Sequence, residues 1–232
     1  MGRALSLYTL YQIARISAPT VLEAMVGRAR REDHDRRLHD FARRVVDRAG
    51  IQLTVIGADE VPLERAFVYM SNHQSHMDIP VLYATVPSPT LRMVAKRELF
   101  RIPGFGRAMR AASFIEVDRA DRARAVASLK RASELIESGV SVWIAPEGSR
   151  TRDGSLGALK KGGFHLARDT GTPIVPVALS GTYRVLPPGS TAIQPGMPVK
   201  VVFGAPIPVD GRATSDLIDE VSRFLAAHVE PL

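Results

Sequence analysis

The stretch Ala66-Phe67-Val68-Tyr69-Met70-Ser71-Asn72-His73-Gln74-Ser75-His76-Met77-Asp78-Ile79-Pro80-Val81-Leu82-Tyr83-Ala84 decides how the rest of the chain is read. Ala66 to Met70 is an unbroken apolar run, short enough for a buried strand. Ile79 to Ala84 reads as the start of a helix. The polar cluster between them therefore occupies a strand-to-helix turn at the mouth of a sheet, where α/β proteins place their ligand crevices. Within it, His73 titrates near neutral pH and can accept a proton. Asp78 lies far enough along for the turn to fold its carboxylate back onto the imidazole. A carboxylate on one ring nitrogen fixes the tautomer, leaves the other nitrogen basic and stabilises the imidazolium that forms. Two other readings of these residues stand at this point. His73 can be satisfied by a local turn while Asp78 caps the following helix, or His73, His76 and Asp78 can be ligands of a metal.

A chain of 232 residues suits one domain with a sizeable core, with room for an appendage. The net charge of +7 points to an anionic partner: nucleic acid, anionic lipid or a phosphorylated small molecule. Aromatic residues make up only 6% and are not interleaved with basic ones as in single-strand binders, so nucleic acid is not an expected partner. The absence of cysteine excludes disulfides, cysteine-zinc sites and a cysteine acyl intermediate.

Toward the N-terminus, residues 4–26 are mostly apolar. Arg3, Ser6, Thr9, Gln12 and Arg15 recur at every third position and draw a narrow polar stripe along a wide apolar helix. Arg15, Pro19 and Glu23 break the run, which is too short for a membrane span. No small-residue cleavage site follows it, so a secretory leader is not expected. Residues 28–48 are rich in arginine, with Leu38, Phe41, Val45 and Val46 on one face. Together they read as an amphipathic helical hairpin, residues 1–49, lying in one leaflet with arginines on lipid phosphates. The alternative is that both helices pack on the protein's own core and the arginines form a solvated face.

Toward the C-terminus, residues 50–232 alternate strand and helix patterns. Strands are expected at 51–56, 66–71, 91–95, 113–117, 140–145, 174–179 and 199–204, and helices near 77–85, 105–112, 119–138, 159–170 and 214–228. Residues 184–198, with four prolines, read as a loop. This predicts the α/β class: a mixed, mostly buried sheet flanked by helices.

Three more stretches bear on chemistry. Lys96 to Gly106 is followed by Phe114-Ile115-Glu116-Val117-Asp118-Arg119. Ala145-Pro146-Glu147-Gly148-Ser149-Arg150 follows an apolar strand. Gly148 lets backbone approach a ligand, Arg150 offers a planar fork for a phosphate, and Glu147 can hold that fork or grip a hydroxyl. Alone, the stretch also reads as a strand-end turn with an exposed ion pair. Lys160-Lys161-Gly162-Gly163 opens a helix and suits an anion, or is an ordinary loop. Ile174 to Gly181 reads as buried scaffold that can line an acyl path.

The order and spacing of the Asn72–Asp78, Lys96–Arg119, Ala145–Arg150 and Ile174–Gly181 stretches resemble the glycerolipid acyltransferase family, over residues 50 to 205. The resemblance implies acyl transfer from acyl-CoA or acyl carrier protein to the hydroxyl of a lysophospholipid, 1-acylglycerol-3-phosphate first. It implies His73 and Asp78 as catalytic residues, and Lys96, Arg119, Glu147, Gly148, Ser149 and Arg150 as substrate-binding residues. It implies neither metal nor cofactor. The enzyme would be monotopic, on an anionic membrane surface at the cytoplasmic face of the cell membrane. Backbone N–H groups after Asp78 would hold the oxyanion. The family's usual Phe before Pro-Glu-Gly is Ala145 here, which bears on acyl-chain preference. Glycerol 3-phosphate or an ornithine-type lysolipid is the alternative acceptor. A metal-dependent phosphoesterase and a membrane-binding module without catalysis are the alternatives from other classes.

Overall fold

The computed structural model describes residues 1–118 and 122–230. Two helices lead, α1 (Gly2–Met25) and α2 (Arg31–Ala49). Then come β1 (Gln52–Ile56), β2 (Val68–Ser71), α3 (Asp78–Thr85), β3 (Leu91–Lys96), α4 (Arg97–Phe100), α5 (Phe105–Ala111) and β4 (Ile115–Val117). They are followed by α6 (Arg122–Glu137), β5 (Ser141–Ile144), α7 (Gly162–Asp169), β6 (Ile174–Ser180), α8 (Thr182–Val185), β7 (Pro198–Phe203) and α9 (Thr214–His228). All seven expected strands form. The helix read from 159 starts at Gly162, because the Lys160 N–H is bonded to the Pro146 carbonyl. Part of the region read as loop from 184 is the end of α8.

The strands form one sheet in the order β1-β7-β6-β2-β5-β3-β4. Only β6 and β7 run antiparallel; the other neighbours are parallel, which fits the long connections between them. Every residue of β6 is buried. Pro176 is tolerated in this central strand because its carbonyl side faces Gly204, just beyond the β7 ladder, which begins at Val177. One face of the sheet packs against α2, α3 and α5 through Phe41, Val45, Tyr69, Tyr83 and Trp143. The other packs against α6, α7 and α9 through Val68, Phe164, Leu217 and Val221.

The N-terminal helices run antiparallel: Arg37 of α2 pairs with Glu23 of α1, and Arg48 stands over the Tyr8 ring. They follow different halves of the expectation. α2 buries Phe41, Ala42, Val45 and Val46 in the same core as the sheet and leaves Arg31, Arg36, Arg43, Arg44 and Arg48 outside. Asp35 fastens it further by bonding the buried Arg92 of β3 at 2.5 Å. α1 packs inward through Leu5, Gln12, Ile13, Ile16 and Thr20, keeps Arg3 and Arg15 of its polar stripe outside, and leaves Leu7, Leu10, Tyr11, Leu22 and Met25 exposed. Among the described residues, no helix is long and apolar enough to cross a membrane.

Candidate active site

β2 ends at Ser71, and the next side chain locks it in place. The Asn72 amide accepts from the Leu179 N–H and donates to the Leu179 carbonyl, both at 2.8 Å, so a side chain continues the β2–β6 ladder. The turn that follows folds back as its spacing predicts. His73 Nδ1 lies 2.6 Å from Asp78 Oδ2, with Asp78 fully buried and the His73 side chain about one-fifth exposed. The same oxygen accepts the Gln74 and Ser75 N–H groups, and Oδ1 accepts the Thr182 hydroxyl. A carboxylate can only accept, so Nδ1 carries the proton and Nε2 is left as the base. The imidazole stands edge-on to Trp143, with centroids 6.2 Å apart.

The turn uses its own donors. The Met77 N–H goes to the Ser75 hydroxyl, those of Asp78, Ile79 and Val81 go to the carbonyls of Ser75, His76 and Met77, and Pro80 has none. The helix start after Asp78 therefore lacks the free N–H groups expected for an oxyanion. Both Asp78 oxygens are filled by protein donors, which leaves a metal no carboxylate here.

The Ala145–Arg150 stretch lies directly behind His73. Glu147, buried, accepts the His73 N–H on Oε1 and the Gly157 N–H on Oε2, both at 2.7 Å. The Thr151 N–H donates to the His73 carbonyl at 2.8 Å. Both backbone groups of the histidine are thus held by this loop. Burial raises the Glu147 pKa above its ordinary value, against the opposing pull of those two N–H groups. Gly148 has φ +75°, and a Cβ there would meet Lys160 Nζ at 2.7 Å. Lys160 therefore belongs beside this site, where sequence alone left both an anion-binding helix start and an ordinary loop open.

Lys96 and Arg150 lie close enough to the turn for their charges to act on His76. Burial is the main force holding the His76 pKa down to about 4, and Arg150, His73 and Lys96 add to it. No described carboxylate pairs with either Lys96 or Arg150. Ser149 is exposed and makes none of the bonds to His73 or Asp78. Arg119, expected beside them, lies outside the described residues. An apolar cavity of about 700 Å³ opens at His76 and Met77 and runs beneath α1, past Ile13, Ile16, Phe41 and Tyr83. No residue of β6 lines it; that strand is buried scaffold. The residue that sequence reasoning missed is Thr182. It lies 104 positions from Asp78, and no local pattern could mark it.

A family model described as Acyltransferase matches residues 52–180. The chain belongs to the acyltransferase family. Among curated members, a chloroplastic 1-acyl-sn-glycerol-3-phosphate acyltransferase of Brassica napus is 40% identical over 68% of this chain and 45% of its own length. The 1-acyl-sn-glycerol-3-phosphate acyltransferase alpha of Homo sapiens is 36% identical over 56% of this chain and 46% of its own. The chain thus spans about half the length of these curated relatives. The crystal structure of the 1-acyl-sn-glycerophosphate (LPA) acyltransferase PlsC from Thermotoga maritima superposes with a TM-score of 0.81, at 28% identity, covering 97% of this chain and 92% of that one. The shared fold is the mixed α/β sheet with its leading helices.

Proposed function

We propose that this chain transfers a fatty acyl group from a thioester, on CoA or on acyl carrier protein, to the free hydroxyl of 1-acylglycerol-3-phosphate, giving phosphatidic acid. The observation that carries the reading is a junction: the turn that holds the oriented His73 imidazole also places His76 and Met77 in the wall of an apolar cavity. His73 Nε2 takes the hydroxyl proton as the oxygen bonds to the thioester carbon. The tetrahedral adduct then collapses, the carbon–sulfur bond breaks, and the imidazolium returns its proton to the departing thiolate. The acceptor is itself the nucleophile, so no acyl-enzyme forms, in keeping with a chain that has no cysteine. Lys96 and Arg150 hold the acceptor phosphate and thereby decide which hydroxyl meets the base.

The cavity suits a long chain. Ser6 and Thr20 both line it, and the stretch of α1 between them rises about 21 Å.

The test is purified protein with lysophosphatidic acid and either donor, in EDTA, with phosphatidic acid as the product read. Arg150→Ala is expected to raise KM for the phosphorylated acceptor by about 10- to 100-fold, the loss of one charged hydrogen bond of roughly 1.5–3 kcal/mol. With monoacylglycerol, which lacks the phosphate, wild type and variant should behave alike. An unchanged KM for lysophosphatidic acid would remove Arg150 from the phosphate site.

The outward apolar face of α1 and the arginines beside it support a monotopic site on an anionic membrane surface. Leu22 and Met25 are 63% and 75% exposed and lie away from the cavity. Each gains roughly 1.5–3 kcal/mol on leaving water. Leu22→Asp with Met25→Asp should cut partition onto phosphatidylglycerol vesicles at least about tenfold, with Tm and activity on detergent-dispersed substrate unchanged. Equal sedimentation with vesicles would argue that α1 faces something else.

A further inference from the structure

The catalytic pair has a third member that comes from the segment after β6, the strand beside β2. Asp78 Oδ2 is shared among the His73 ring and the Gln74 and Ser75 N–H groups. Oδ1 is met by Thr182 Oγ1 at 2.5 Å. Asp78 and Thr182 are both fully buried, so no water replaces either partner. We propose that the one-turn helix α8 is a clamp on the catalytic turn, with Thr182 as the positioning residue that fixes the rotation of the Asp78 carboxylate. This rests on the reading of His73 and Asp78 as base and orienter, and it names a residue which that reading did not contain.

The local backbone is built to deliver this hydroxyl. Gly181 has φ +96°, and a Cβ there would come within 2.3 Å of the Pro198 carbonyl oxygen. Only glycine lets β6 break this sharply into α8, and the break brings Thr182 over the start of α3. The other end of α8 is fastened to the same turn: the Ser75 hydroxyl donates to the Leu186 carbonyl at 2.7 Å. The Leu186 side chain lines the apolar cavity. One five-residue segment therefore touches the orienting carboxylate at its first residue and the acyl cavity at its last.

The hydrogen-bond count supports a donor role for Thr182. Its hydroxyl has one proton. Given to Asp78, none remains for Gln74, whose side-chain amide lies 3.3 Å away with its buried nitrogen unpartnered. The amide is therefore better assigned with its NH2 end toward Thr182, which gives the buried nitrogen an acceptor and leaves the carbonyl oxygen without a donor, the less costly omission. The chain then runs in one direction: Gln74 donates to Thr182, Thr182 to Asp78, and His73 to Asp78 from the other side. Each donation polarises the next.

Without the Thr182 hydroxyl, Oδ1 is a buried carboxylate oxygen with no donor. The carboxylate can relieve this only by rotating, and rotation takes Oδ2 away from the imidazole. The effect falls on the chemical step and not on substrate binding. Thr182→Val keeps the shape and removes the proton. It is expected to lower kcat by about 10- to 100-fold, the loss typical of a partner that orients a working histidine from behind. KM for lysophosphatidic acid should stay within about twofold, and Tm should fall by about 3–10 °C for the buried bond lost. Thr182→Ser restores the donor and should recover most of kcat. If Val does not fold, Thr182→Ala removes the same proton and carries the same expectation. A hydroxyl-free variant with wild-type kcat overturns the proposal, as does a Ser variant as impaired as the Val one. A loss seen in KM alone overturns it too. His73→Ala is assayed alongside. If that variant retains activity, the catalytic reading itself has failed. If it is inactive while Thr182→Val is normal, only the clamp is wrong.

Discussion

His73→Ala is expected to lower the rate of acyl transfer by about 10³-fold or more, within the range that a positioned general base contributes. The argument is geometric. Nδ1 is committed to a fully buried carboxylate, so Nε2 is the one imidazole nitrogen free to take the acceptor's proton. Among the described residues, no other basic group stands in the same relation to that turn. Lys96 and Arg150 are cationic side chains, proposed above to hold the acceptor phosphate. His76 stays neutral, with its pKa near 4, but no carboxylate orients it. The variant should still sediment with anionic vesicles, because α1 and the arginines of α2 are untouched. Its Tm should be close to wild type, since the ring is held by one bond and an edge contact to Trp143. Activity within a fewfold of wild type would mean that the hydroxyl is deprotonated some other way. Retained activity that vanishes in EDTA would point to a metal.

Much of this was written locally. The strands could be read because each is a short apolar run bounded by turn residues. The His73–Asp78 pair could be read because five residues of turn are enough to close the contact, and both partners lie in one stretch. What could not be read depends on partners distant in sequence. Glu147 was expected to touch substrate; its two oxygens instead accept from His73 and Gly157, which lie 74 and 10 positions away. The polar stripe of α1 could be counted, but counting does not tell which side packs. Leu5, Ile13 and Ile16 pack inward with Gln12 and Thr20, while Leu7, Leu10, Tyr11, Leu22 and Met25 are left outward. α2 shows the ordinary arrangement, because its six buried apolar residues, Leu38, Phe41, Ala42, Val45, Val46 and Ala49, fit the sheet-covering layer.

Glu147 gives the second large effect, and it separates anchoring from substrate contact. The side chain spans two backbone donors, and one of them belongs to the catalytic histidine. Gln has the same shape but presents an NH2 to one of those N–H groups, donor against donor in a buried site. The expected cost is about 2 kcal/mol of stability, that of one charge-assisted bond, and about 10²-fold in kcat, because a shift of about 1 Å in the base is enough for that. KM should change little, whereas a residue gripping the acceptor would show its loss there. Asp keeps the charge but is one methylene too short to bridge both donors, so Glu147→Asp should be impaired as well. If Asp is active and only Gln fails, the charge matters and the span does not. The pH dependence of unfolding gives an independent check. Burial raises the Glu147 pKa above 4.5, so the folded protein holds this proton more tightly than the unfolded chain. The contribution of this group to stability therefore falls as pH rises through the window just above 4.5. Gln cannot titrate, so the difference in stability between wild type and Glu147→Gln should narrow as pH rises through that window. A difference that widens there would mean that the two N–H groups outweigh burial at this carboxylate.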